Sequence, residues 1–195
     1  MPKVVSIVTD EELEQRRRLG LDRFDEIWDG VLHMAPPPDS EHQEFGGILE
    51  SLLRRFARDD HPDAYVAHEV AVADPARWPE DYRTPDLVVC LDRADVAPKF
   101  VVRADLAVEI RSPEDETFDK FPFYARRGVA EILVVDRQGR GVELYRRRES
   151  QYVLVGADVQ GWLTSEIGVQ FRWDAAIGTL QVKRRGDGGP GEAVR

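Results

Sequence analysis

Apolar residues return at three- and four-residue intervals from Phe45 through Ile48, Leu49, Leu52 and Leu53 to Phe56, and this spacing predicts an amphipathic helix. Ser40-Glu41-His42-Gln43 in front of it reads as a capping box, and the stop is expected near Asp59-Asp60-His61-Pro62. Gly46 and Gly47 lower its propensity but leave room for close packing on a sheet. A shorter helix opens on another capping box, Thr9-Asp10-Glu11-Glu12. Arg16, Arg17 and Arg18 suit its C-terminal dipole, and Gly20 is its stop.

Between these helices, Phe24 to Trp28 and Val31 to Met34 flank Asp29-Gly30, a hairpin signal. Ala35-Pro36-Pro37-Pro38-Asp39 continues neither strand nor helix and reads as a stiff connector. Beyond the long helix, Tyr65 to Val72 reads as a strand, and Asp74 to Thr84, with Pro75 and Pro79, as a loop. Leu87 to Leu91, Leu106 to Ile110 and Glu131 to Val135 are apolar strands. A helix from about Asp119 to Arg127, stopping at Gly128, separates the last two. Gln138 to Gly141 turns the chain into Val142 to Tyr145. Tyr152 to Val155, Trp162 to Leu163, Val169 to Trp173 and Leu180 to Val182 are short strands. The tail from residue 184 has no apolar period and is expected to be disordered. The order gives an α/β (α+β) domain over residues 1–183, a mixed sheet flanked by helices with an N-terminal hairpin and a β-rich C-terminal part.

Composition narrows this little. A chain of 195 residues with 42% hydrophobic content suits one domain with a real core. No apolar run approaches the roughly 20 residues of a membrane span, and Met1-Pro2-Lys3-Val4-Val5 does not open a secretion signal. The lone cysteine, Cys90, excludes a disulfide framework and a cysteine-rich zinc site and points to a buried strand thiol in a cytoplasmic protein. The net charge of -10 counts against avid non-specific binding to DNA, which draws on Lys and Arg, and leaves a local basic patch as the route to it.

Glu109 changes the picture more. Alternation puts Leu106, Val108 and Ile110 on one strand face and Asp105, Ala107, Glu109 and Arg111 on the other. A carboxylate inside such a strand is costly to bury unless it is paired or binds a cation. Ser112-Pro113 ends the strand, so Glu109 lies near its C-terminal end, where ligands gather in open α/β sheets. Asp86 opens another apolar strand after Pro85. Two acids on neighbouring strands are enough for magnesium or manganese, with water and phosphate as the remaining ligands. Such a cation supports phosphodiester hydrolysis. Lys120, read as the first residue of a helix capped by Asp119, runs against the helix dipole, which points to another task such as steadying transition-state charge. Arg111 is the alternative cation, but a guanidinium cannot act as a base.

Thr84-Pro85-Asp86-Leu87-Val88-Val89, Val108-Glu109-Ile110-Arg111-Ser112-Pro113, Asp119-Lys120 through Gly128-Val129, and Glu131 through Asp136, in that order, resemble the Uma-type restriction endonucleases of the PD-(D/E)XK nuclease superfamily. Asp25-Glu26-Ile27-Trp28-Asp29-Gly30 resembles that family's N-terminal segment, and His42 falls where the family has a histidine opening a helix. The similarity runs from about Thr9 to Val155. It implies a restriction-endonuclease-like fold and a Mg2+- or Mn2+-dependent endonuclease that hydrolyses DNA, commonly as a homodimer. It implies Asp86 and Glu109 as metal ligands and Lys120 as the superfamily lysine moved onto the following helix, with Arg111 in its older place. Glu26 joins as an additional acid and His42 as a ligand or proton carrier.

Each residue also has a plainer reading. Asp86 alone suits a turn, Glu109 an ion pair, Lys120 a solvated surface, His42 a half-buried helix start and Glu26 a salt-bridged strand. Arg146-Arg147-Arg148 could touch phosphates but reads more simply as a solvated turn. Two other functions stand beside the nuclease: a binding module on the same fold with weakened catalysis, and an unrelated β domain holding a transition metal through His33, His42 and Glu26.

Overall fold

Thr9 caps the first helix as its sequence requires. After β1 (Val4–Val5), α1 (Asp10–Leu19) starts with the Thr9 side chain accepting from the Glu12 amide while the Glu12 carboxylate accepts from the Thr9 amide, and Gly20 closes it at φ 65°. The hairpin joins β2 (Glu26–Trp28) to β3 (Val31–Met34), with Asp29 and Gly30 at φ 48° and 84°, the positive values that a two-residue turn demands. The computed structural model describes residues 4–5, 9–34, 37–112 and 116–195; readings that touch the start of the chain, Ala35-Pro36 of the connector and Pro113 after the Glu109 strand lie outside them.

The long helix, α2 (Ser40–Asp60), is capped one residue earlier than the sequence suggests. Asp39 Oδ1 accepts from the His42 amide at 2.7 Å, and Ser40 becomes the first helical residue. An aspartate caps as well as a serine and its charge complements the N-terminal dipole. The two glycines differ in environment. A Cβ on Gly46 would stand 2.8 Å from two ring atoms of His68, whereas Gly47 is exposed and faces open space. Gly46→Ala should therefore lower stability by about 1–3 kcal/mol through overpacking, and Gly47→Ala should raise it by up to about 1 kcal/mol through helix propensity. Urea unfolding of both variants checks this; equal signs would refute it.

The expected strand from Tyr65 to Val72 is two strands, β4 (Tyr65–His68) and β5 (Ala71–Ala73), because Glu69 at φ 52° breaks the run and sends the chain into another sheet. The loop that follows contains β6 (Tyr82–Arg83). Then come β7 (Leu87–Cys90), β8 (Phe100–Val101), β9 (Leu106–Ile110), α3 (Phe121–Arg126), β10 (Glu131–Asp136), β11 (Gly141–Arg148) and β12 (Gln151–Leu154). The last four strands are β13 (Leu163–Thr164), β14 (Val169–Asp174), β15 (Thr179–Arg184) and β16 (Glu192–Val194).

The central sheet runs β12-β11-β10-β9-β7-β4, with β9 and β10 parallel and its other neighbours antiparallel. Parallel neighbours need a crossover, which α3 supplies. A second sheet, β1-β3-β2-β6-β5-β8, carries the N-terminal hairpin, and a third runs β13-β14-β15-β16. This is a mixed α/β architecture with added β-rich segments.

The core has two parts, one on each face of the central sheet. On one face Leu87, Val89, Leu106, Val108 and Leu133 meet Phe45, Leu49 and Leu53 of α2, which also packs on Val169, Phe171 and Val182 of the third sheet. On the other, Val88, Ala107, Ile132 and Val134 meet Phe123 and Tyr124 of α3. Strand alternation thus sends Glu109 to the α3 face, as its sequence position implies.

Two expectations fail against this core. The tail after residue 183 does not stay apart: β16 pairs with β15, and Val194 is fully buried. One apolar residue among glycines gives no periodicity, yet it suffices where an open strand edge waits beside a helix. Arg146-Arg147-Arg148 is no solvated turn but the end of β11, where Arg146 reaches the buried Glu131.

Candidate active site

Antiparallel pairing of β7 with β9 decides the position of Asp86. Leu87 stands opposite Val108, so the start of β7 lies beside the end of β9, and Asp86 comes next to Glu109. The Ile110 amide donates to Asp86 Oδ2 at 2.6 Å, and His42 Nε2 lies 2.8 Å from Asp86 Oδ1. Asp86 keeps a side-chain exposure of 20%, the most open of the group. Burial disfavours the imidazolium of His42, but the hydrogen bond and charge of Asp86 outweigh this and hold its pKa above the ordinary value.

Glu109, Glu26 and Lys120 are buried together. Lys120 Nζ lies 3.1 and 3.2 Å from the two oxygens of Glu109 and 2.9 Å from Glu26 Oε1. Burial pushes the Glu109 carboxyl up to about 7 against the pull of Lys120, and the charges of Asp86 and Glu26 add to the rise. Burial works against the Lys120 ammonium as well, yet the charges of Glu109 and Glu26 hold it well above the usual lysine range. Lys120 is therefore a fixed positive charge between two acids. It stands at the end of a 3-10 turn, Thr117–Lys120, and not on an α-helix capped by Asp119. The tighter turn places its side chain under the sheet instead of on the surface.

Glu26 is held by Lys120, by the Thr84 amide to Oε1 at 3.0 Å and by Trp28 Nε1 to Oε2 at 2.6 Å, among other contacts. All five residues singled out from the sequence thus meet at one end of the central sheet. His33 takes a different partner. It stacks on Trp28 at 4.0 Å and its Nδ1 meets Glu116 at 3.1 Å, and among the described residues no grouping of His33, His42 and Glu26 is spaced to hold a metal ion.

Tyr124 is the member that sequence reasoning missed. Its hydroxyl donates to Glu109 Oε1 at 2.6 Å from a fully buried position, and burial with the charges of Glu109 and Glu26 keeps it well above the usual tyrosine range. A signal was present: in the helix expected from Asp119 to Arg127, Tyr124 follows Lys120 by four residues, a spacing that aligns side chains on one helical face.

Among the described residues no group of three or more His, Cys, Asp or Glu side chains is spaced to hold a metal ion. The pair Asp86 and Glu109 still suits a hard divalent cation in chemistry. Both offer carboxylate oxygens, and the register of β7 on β9 sets them side by side, although Lys120 already lies against both oxygens of Glu109 and His42 against Asp86.

Comparison with known proteins bears on the same span. A family model described as "Uma2: Putative restriction endonuclease" matches residues 10–178. A crystal structure of "a putative nuclease belonging to DUF820 from Anabaena variabilis ATCC 29413" has a TM-score of 0.54 over 67% of this chain and 75% of that one, at 16% identity, so the likeness is one of fold. No curated protein matches the chain.

Proposed function

The chain belongs to the Uma2 restriction-endonuclease family, a nuclease-like fold of the PD-(D/E)XK group, and on that premise we propose that it is a divalent-metal-dependent endonuclease hydrolysing DNA phosphodiester bonds. The observation that carries this is the meeting of Asp86, Glu109 and Lys120 at one end of the central sheet, with Glu26 and Tyr124 fixing their orientation. Asp86 and Glu109 would hold Mg2+ or Mn2+, which when bound polarises the phosphate and acidifies water. In hydrolysis a water oxygen forms a bond to phosphorus, the ester P–O bond breaks, and the departing oxygen takes a proton. Lys120 steadies the charge that builds on the phosphate oxygens; kept protonated by two carboxylates, it serves as a charge and not as a base. His42 fixes the rotamer of Asp86, and Tyr124 that of Glu109.

The test joins metal binding to cleavage. Manganese titrated calorimetrically should bind the wild-type chain, and Asp86→Asn should weaken that binding at least about tenfold. Circular DNA, both single-stranded and supercoiled duplex, should be opened by the wild type with magnesium and left intact in EDTA. No detectable manganese binding, with both DNA forms left intact, would favour the second reading, a binding module on this fold, which the net charge of -10 and the grip of Lys120 on both Glu109 oxygens support.

A further inference from the structure

Lys120 is buried, yet Phe118, two residues earlier on the same 3-10 turn, is 44% exposed. Its ring is the outer end of an aromatic strip. Phe121 lies 5.3 Å away and Tyr145 6.2 Å away, and Phe121 continues the strip to Tyr152 at 5.3 Å. The Arg111 guanidinium sits 5.4 Å from the centre of the Phe118 ring. Arg111 follows Glu109 by two residues on the same strand side, a step of about 7 Å. An exposed aromatic ring with a cation beside it therefore stands at the rim of the carboxylate–lysine site.

Charge argues about what such a rim can hold. The chain carries a net charge of -10, and the cations near the site have acidic partners: Arg111 with Asp136 at 3.1 Å and Arg137 with Glu41 at 3.2 Å. Phosphate contacts draw on unneutralised Lys and Arg in either strand form, and these described cations of the rim are paired, so what separates the two forms is access to the base faces. Stacking on an aromatic face asks only that the base be unpaired, and it accepts any base. In an intact duplex the base faces are covered.

Resting on the nuclease reading above, we infer that the site takes single-stranded DNA and that Phe118 is a stacking platform for an unpaired base beside the scissile phosphate. Fluorescence anisotropy of the full chain in EDTA tests this without cleavage, with fluorescein-labelled oligothymidylate as one probe and its duplex with oligoadenylate as the other. The wild type should bind the single strand at least about tenfold more tightly than the duplex. Phe118→Ala should remove about tenfold of the single-strand affinity and leave duplex binding unchanged, and Phe118→Trp should retain it. Equal affinity for the two probes, an unchanged Phe118→Ala, or a Phe118→Leu variant that binds as wild type would overturn the inference. The two readings fail separately. Phe118-dependent binding by a chain that cuts no DNA with magnesium sinks the nuclease alone. Cleavage of supercoiled duplex with single strands ignored sinks the platform alone.

Discussion

Glu109→Gln and Lys120→Met should each lower the rate of circular-DNA cleavage by at least about a hundredfold at saturating magnesium, the usual cost of removing one preorganised charge from a hydrolytic site. The two losses have different origins. Glutamine can still accept the Tyr124 hydroxyl but no longer offers a charged oxygen to a cation, so its loss should appear in metal affinity as well. Methionine keeps most of the apolar stem of Lys120 and removes the charge that Glu26 and Glu109 share. Metal affinity then changes little or rises, because a cation would relieve the exposed repulsion. Initial rates, with circular dichroism to confirm folding and calorimetry for manganese, separate these effects. Full activity in both variants would end the assignment of these residues.

Arg146→Met should cost about 3–5 kcal/mol of stability, or roughly 10 °C in thermal midpoint for a domain of this size, although the residue lies outside the site. Glu131 is wholly buried at the start of β10. Arg146 Nη2 lies 2.7 Å from its Oε1, the Ser165 hydroxyl donates to Oε2, and the Glu166 amide donates to Oε2 at 2.9 Å. Losing the arginine strands a carboxylate where water cannot reach it, and that joint ties the central sheet to the segment leading into the third sheet. Because Arg146 itself is partly exposed, the lower end of the range is the firmer expectation. The double variant Glu131→Met/Arg146→Met should lose less than the sum of the single changes, since it removes the stranded charge. A thermal midpoint for Arg146→Met within a degree of wild type would refute this.

Both predictions concern buried charge, and buried charge was unevenly legible along the chain. Glu109 announced itself because a carboxylate interrupts an apolar strand whose alternation fixes its face. Glu131 sits in the same kind of strand, but its partners, Arg146 and Ser165, come from distant segments that read as turns. Tyr124 was readable through its spacing from Lys120. Trp28 as a donor to Glu26 was readable only as a shared strand face, and the Thr84 amide not at all, since a backbone donor leaves no mark in the sequence.

Local chemistry by itself determined the helices, the hairpin and the strands that carry Asp86 and Glu109, because caps, turn residues and apolar period act over a few neighbours. The order of the motifs likewise determined the family. Tertiary structure decided which strand lies beside which, and therefore that the beginning of one strand meets the end of another to bring Asp86 to Glu109. It decided that Glu69 parts one apolar run between two sheets, and that Val194 closes a sheet edge from within a polar tail. It also turned Lys120 inward. A lysine's own preference is for water, and only two carboxylates brought in from different strands could hold it beneath the sheet.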